Sequence, residues 1–301
     1  MSFISSYINL VPVTFAQSLI YSFLVLGIMI PFRLISFPDL TSEGAFPLGG
    51  CVCAALILAG YNPILATLVA VAAGGLAGAS TAIIHLRFGI NSLLAGILVF
   101  TGLYSINLRI LGKSNAALFN ADNIFNMIHP GIVTTVWMQI LVFGVLVVAL
   151  LLALRWFLTT QAGAALRVVG VNPDLAPSLG INLWTYTIVG LALANAMTAL
   201  GGALIVQLQG YADVGMGLGV LINGLASLVI GETIVGRHTV TRQLLAPVLG
   251  AAVYYQLVSL GLSIGLQPSD LKLATAIFVL VTLALPSATG KRFQTREKMR
   301  A

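Results

Sequence analysis

The sequence predicts an all-α, polytopic transmembrane bundle, and three features carry that expectation: an apolar excess, long uncharged runs, and the placement of the basic residues. Of 301 residues, 59% are hydrophobic and 7% are charged, whereas a soluble domain carries about 25% charged residues. A water-soluble fold of this size needs far more polar surface, so the apolar excess faces lipid. No Asp, Glu, Lys or Arg occurs before Arg33, between Glu43 and Arg87, from Asn123 to Leu154, or from Leu175 to Ala212. A membrane-spanning helix takes about 20 apolar residues. These runs lack the residue-by-residue alternation of a transmembrane β-barrel.

Nine spans follow in order. The first, 13–35, ends at Arg33. The second, 45–60, is short and glycine-rich and is closed by Gly60-Tyr61-Asn62-Pro63, which separates it from the third, 62–86. The third carries Gly74-x-x-x-Gly78, a spacing that lets helices approach closely. The fourth covers 90–110 and is followed by an Asn-rich loop, Gly112–Pro130. The fifth covers 131–157 and leads into a polar loop, Thr159–Asn182. The sixth, 183–207, precedes a second short, glycine-rich span at 215–231; the eighth and ninth cover 243–265 and 271–288. The short second and seventh spans read as broken or partly crossing. The N-terminal run lacks both a leading Lys or Arg and a small-x-small cleavage pattern, so it reads as a retained helix rather than a signal peptide.

Orientation follows from Lys and Arg. With the N-terminus outside and the C-terminus in the cytoplasm, eleven basic residues lie inside: Arg33, Arg87, Arg155, Arg167, Arg237, Arg242, Lys291, Arg292, Arg296, Lys298 and Arg300. Three lie outside, namely Arg109, Lys113 and Lys272. The positive-inside rule therefore favours this orientation. The net charge of +6 belongs to these loops and the basic tail, and a nucleic-acid partner is not expected. The organisation is one transmembrane domain over 1–301: a first half at about 1–158, the cytoplasmic loop 159–182, a second half 183–288, and a basic tail 289–301.

The halves share a short echo. Phe37-Pro38-Asp39-Leu40 follows the first span and Tyr211-Ala212-Asp213-Val214 follows the sixth. Each is aromatic-x-Asp-aliphatic, and each precedes a short glycine-rich span and then a longer one. In the nine-span topology the halves run in opposite directions, the inverted-repeat arrangement of many transporters.

Residues 160–182 are the most informative stretch. Ala162–Val169 reads as a short helix stopped at Gly170. Asn172-Pro173-Asp174 opens a turn with Asp174 near the start of a second short helix, which Gly180 ends. Two short helices on the membrane surface make a knob that fits a partner's cleft, or else an ordinary amphipathic connector.

The pattern Gly-x-Ala-Leu-Arg-x-x-Gly-x-Asn-Pro-x-x-Ala-x-x-Leu-Gly-Ile-Asn over 163–182 resembles the coupling-helix region of ABC importer permeases. The family includes the branched-chain amino acid and ribose-type permeases. The similarity extends over about 13–288, through Phe37-Pro38-Asp39-Leu40-Thr41-Ser42-Glu43-Gly44 and through Tyr211–Arg237, where Leu228-Val229-Ile230-Gly231-Glu232 looks like a cytoplasmic turn. The wording Ile30-Pro31-Phe32-Arg33 and Phe37-Pro38-Asp39-Leu40-Thr41 resembles permeases presumed to carry tryptophan or tyrosine. The resemblance implies a non-enzymatic transport subunit of the bacterial inner membrane working by alternating access. It implies two separate ATPase subunits that bind ATP and Mg, an extracytoplasmic solute-binding protein, and a second permease copy, identical or related. By matching positions, Gly163, Ala165, Arg167, Gly170, Asn172, Pro173 and Gly180 would form the ATPase-coupling surface, with Arg167 facing an acidic groove residue. The solute is expected to be small and polar, most readily an amino acid; a sugar or nucleoside permease and an ion-gradient-driven carrier are the alternatives.

Polar groups at membrane depth mark substrate paths or helix–helix contacts. By position these are Asp39, Glu43, Asn91, Asn107, Asn195, Asp213, Asn223 and Glu232. The substrate-pathway candidates chosen are Asp39, Glu43, Asn195, Asp213 and Asn223. Asp39 and Asp213 also suit helix capping, and Glu232 suits a cytoplasmic salt bridge with Arg237. Because every acid falls near a span end, the pattern argues against proton or sodium coupling. Catalytic readings fail: Gly112-Lys113-Ser114 lacks the earlier glycine of a phosphate loop, Gly215-Met216-Gly217-Leu218-Gly219 lacks dinucleotide spacing, and Cys51 with Cys53 and the scattered His85, His129 and His238 make no metal pattern. No catalytic residue and no metal site is expected.

Overall fold

The computed structural model describes residues 3–118, 123–124, 136–265, 270, 273 and 276–277. It is a helical bundle, and among the described residues eight helices are long and apolar enough to cross a membrane. Helix α1 covers Phe3–Met29 and continues as a wider π-helical stretch, Ile30–Ile35. Pro31, which has no amide hydrogen, sits at the start of that stretch, where its ring would clash with a regular helical ladder. Then come α2 (Thr41–Leu58), α3 (Pro63–Phe88) and α4 (Ser92–Leu111). A three-residue strand β1 (Asn115–Ala117) follows, then α5 (Val136–Thr159) and the short α6 (Gln161–Val171). The remaining elements are α7 (Leu183–Gln209), strand β2 (Tyr211–Asp213), α8 (Val220–Val235) and α9 (Val240–Ser263). The ninth expected span and the basic tail lie almost wholly outside the described residues.

Local chemistry sets most of the boundaries. Asn62, Asn91 and Asn182 accept backbone amides at the starts of α3, α4 and α7, the role of an N-cap. Asn91, a candidate polar group at membrane depth, is thus a cap. The break at Gly60–Pro63 is real, with Gly60 at φ +86°. The second span is a continuous helix through Pro47, whereas the seventh is broken: a 3-10 turn at Val214–Gly217 and left-handed Gly219 precede α8.

The core packs helices by small residues. Methyl groups added at Gly74 and Gly78 would collide with α7 at Asn195, Ala199 and Leu191, so the Gly-x-x-x-Gly spacing does seat α3 on α7. Glycines 231 and 250 do the same between α8 and α9. The packing partners repeat: α3 lies on α7 as α9 lies on α1, and α2 on α3 as α8 on α9. Helix α5 is the most outward-facing. Its exposed Trp137 and Trp156 are separated by about 28 Å at 1.5 Å per residue, close to the hydrocarbon thickness, and Trp favours such interfaces.

Because the helices alternate in direction, Arg33, Arg87, Arg155, Arg167, Arg237 and Arg242 share one end of the bundle, and Arg109 and Lys113 lie at the other. At the basic end Glu232 pairs with Arg33 across 2.6 Å. The salt bridge expected for Glu232 is present, but its partner comes from α1 rather than from the neighbouring Arg237. Arg33 lies in the π-helical stretch that ends α1, and sequence proximity does not reveal its approach to Glu232.

Candidate functional site

Two sites follow from this framework: the loop at the basic end and a set of polar groups inside the bundle.

The loop has an anchored side and an open side. Gly163, Ala165, Leu166 and Val169 are buried. A side chain at Gly163 would strike the backbone of Phe157 and Leu158, and one at Gly170 would overlap the Leu34 carbonyl. Helix α6 therefore runs through Gly170 to Val171, instead of stopping at it, because the glycine is needed for close approach to the end of α1. Arg167 donates from Nη2 to the Leu158 carbonyl at 2.9 Å and from Nε to the Gly163 carbonyl at 3.3 Å. The first bond satisfies a carbonyl at the C-terminal end of α5 and holds α6 to it, and the second lies within α6. Of the residues expected at an ATPase contact, Gly163, Ala165 and Gly170 thus face their own bundle.

The open side holds Asn172, Pro173 and Gly180. Asn172 Oδ1 accepts the Leu175 amide at 3.2 Å, and Gly180, at φ +73°, closes the turn Pro177–Leu179. Between this turn and α6 lies an open cleft of about 380 Å³ lined by Ala164, Arg167, Val168, Val171, Asn172, Leu175 and Leu179. Val171 is 86% exposed, and Leu175 and Leu179 are also exposed. Sequence reasoning singled out none of these three apolar residues; the available signal was their spacing of four, at 171, 175 and 179.

Within the bundle, Asp39 and Asn195 meet. Asp39 is fully buried. Its Oδ1 accepts the Thr41 amide at 2.8 Å, and its Oδ2 accepts from Asn195 Nδ2 at 2.8 Å. Thr41 and Thr81 share a hydroxyl hydrogen bond at 2.6 Å beside them, a pair absent from the sequence candidates. Asn195 lies halfway along α7, so residues 36–40 carry Asp39 inward, although it flanks a span end. Asp39 caps α2 and ties it to α7. Asn195 Oδ1 has no hydrogen-bond partner among the described residues.

The other candidates lie apart. Glu43, partly buried, lies beside the backbone amides of Gly219 and Leu221 at the start of α8. Asp213 caps the turn after β2, accepting the Gly215 amide at 2.6 Å. Asn223 accepts from the Tyr254 hydroxyl at 3.1 Å, a contact between α8 and α9. Gln207 was missed: buried on α7, it donates to Thr67 Oγ1 at 2.9 Å and Cys53 Sγ at 3.3 Å, and its Oε1 accepts the Ile124 amide at 3.2 Å. An amide in an apolar span was the available signal.

Eight helices of membrane-crossing length and composition among the described residues, with an anchored surface knob at the basic end, define a multi-pass integral membrane protein. Residues 13–285 match the family model described as branched-chain amino acid transport system, permease component. The chain belongs to that family: it is an ABC transporter permease, a transport subunit and not an enzyme. It is 39% identical over 284 residues to the tyrosine transport system permease protein of Clostridioides difficile, covering 94% of this chain and 93% of that one. An uncharacterized protein of Rickettsia prowazekii is 32% identical over 92% of this chain and 97% of its own. The galactofuranose transporter permease protein of Escherichia coli is more distant, at 25% over 83% of this chain and 71% of its own. No solved structure matches significantly.

Proposed function

We infer that this permease is the membrane core of an importer for an amino acid, with an aromatic amino acid such as tyrosine as the first candidate. The likeness to the tyrosine permease over nearly the full length supports that solute class over the sugars named for weaker relatives. It works in the cytoplasmic membrane of a bacterium, with two copies or two related permeases, an extracytoplasmic binding protein, and two ATPase subunits that hold ATP and Mg. The observation that carries the coupling assignment is the exposed apolar cleft of Val171, Leu175 and Leu179 on a loop whose other face packs against the end of α1 and is bonded to α5. A loop fixed in this way transmits a push as a rigid lever, and its exposed aliphatic side chains supply the buried contact at which interface energy concentrates. Arg167 belongs to the lever's hinge with α5, and Asn172, Pro173 and Gly180 shape the knob.

The test is copurification of the ATPase subunit from detergent-solubilised membranes. Val171→Asp with Leu179→Asp places charges on the open face without touching the anchored one, and is expected to abolish copurification while the permease remains in the membrane. An ATPase subunit retained at wild-type yield by that double variant would remove the assignment.

A further inference from the structure

The narrow cleft between α2, α4 and the start of α8 is separate from the Asp39–Asn195 pair. Gly44 packs against Phe100 and Leu103, the middle of α4, so the adjacent Glu43 lies at membrane depth. A half-exposed carboxylate there is costly against lipid, which means that its open side faces water or protein. Glu43, Phe100, Tyr104, Asn107 and Leu218 line the cleft, which has room for about one water-sized group. Asn107 is fully buried, and its Nδ2 donates to the Gly44 carbonyl at 3.3 Å. That bond fixes the amide's orientation and leaves Oδ1 with no partner among the described residues.

We propose that this cleft is a cation subsite that takes the ammonium group of the transported solute. An ammonium is water-sized and carries three donors with no acceptor. The cleft offers the complement: a carboxylate, an orphaned carbonyl oxygen, and the aromatic rings of Phe100 and Tyr104 in its lining, a residue type that attracts cations. The α8 amides, which would favour an anion, are already covered by Glu43, so the solute's carboxylate is repelled from this point and its amino end is selected. This assignment rests on the amino acid reading above.

The experiment uses the assembled transporter with its ATPase in proteoliposomes. A cysteine placed by Leu218→Cys leaves Glu43 intact, and Cys51 and Cys53 are buried. With rates normalised to a free thiol, 2-aminoethyl methanethiosulfonate should label it at least tenfold faster than the 2-sulfonatoethyl reagent. Adding Glu43→Gln, which keeps an oxygen acceptor for the α8 amides, should erase most of that preference. In parallel, ATP-dependent uptake of radiolabelled L-tyrosine should fall at least tenfold in Glu43→Gln and in Asn107→Leu, while Glu43→Asp retains most of it. Equal normalised labelling rates, or undiminished uptake by Glu43→Gln, would overturn the subsite. A Glu43-dependent labelling preference in a transporter that takes up no tyrosine under ATP supports the subsite while rejecting the tyrosine reading.

Discussion

Asp39 and Asp213 occupy the same tetrapeptide pattern and make the same local bond, yet one is sealed inside the bundle and the other sits at its edge. Each side chain accepts the amide two residues ahead, Thr41 and Gly215 respectively, as short acidic side chains do at turns. Their second oxygens diverge. Asp39 Oδ2 binds the buried Asn195 amide of α7 at 2.8 Å, whereas Asp213 Oδ2 accepts from exposed Asn115 of β1 at a long 3.4 Å. What differs is the surroundings: α3, α4 and α7 enclose Asp39, while Asp213 ends a two-stranded ribbon. A repeated local motif thus predicts the backbone geometry but not the energy, because water can replace a lost partner at one site and cannot at the other.

The largest effect expected is at Asp39. Asp39→Ala leaves the Thr41 amide buried without its acceptor and removes one partner of Asn195. A buried polar group stripped of its partner costs about 1–3 kcal/mol, so the loss is about 3 kcal/mol in all. For a chain of this size that lowers the melting midpoint by roughly 5 °C, measured by thermal scanning of the detergent-solubilised protein. Asp39→Asn keeps an acceptor for Thr41 and should recover about half of that loss. Equal midpoints for wild type and Asp39→Ala would mean that water reaches the site, and the contrast between the two turns would collapse.

An intermediate effect is expected at the neighbouring hydroxyl pair. Thr81→Val strands the buried Thr41 hydroxyl, for a loss of about 1–2 kcal/mol. Converting both Thr41 and Thr81 to Val removes donor and acceptor together and should restore most of the stability. If the double variant is instead less stable than either single one, the pair contributes to the Asp39 network beyond its own bond.

Much of this was legible before the fold was known. Hydropathy and uncharged run length placed the eight described spans, since a helix in lipid must satisfy its own backbone, although the first helix starts at Phe3, well before the expected 13. The capping role of Asp39 was readable because it is local. Its depth was not: span boundaries drawn from polarity place an acid at a helix end, and only the inward return of residues 36–40 seats it beside Asn195. Gly170 shows the same limit. A glycine after a short helix reads as a stop, but its function is fixed by Leu34, more than a hundred residues away in sequence. Likewise Glu232 has a basic neighbour, Arg237, five positions beyond it in the chain, yet pairs with Arg33.

The smallest effect belongs to the edge turn. Asp213→Ala removes the Gly215 cap where solvent is at hand, and an exposed cap contributes about 0.5–1 kcal/mol. The melting midpoint should fall by no more than roughly 2 °C, and Asp213→Asn or Asp213→Ser, which keep an acceptor oxygen, should restore it. A loss as large as that for Asp39→Ala would show that the β1–β2 ribbon is shielded in the assembled transporter. In that case the measurement should be repeated on the permease with and without its binding protein. A cost that appears only in the complex would place this turn under the docked partner, and a cost present in the permease alone would place it under a second permease copy.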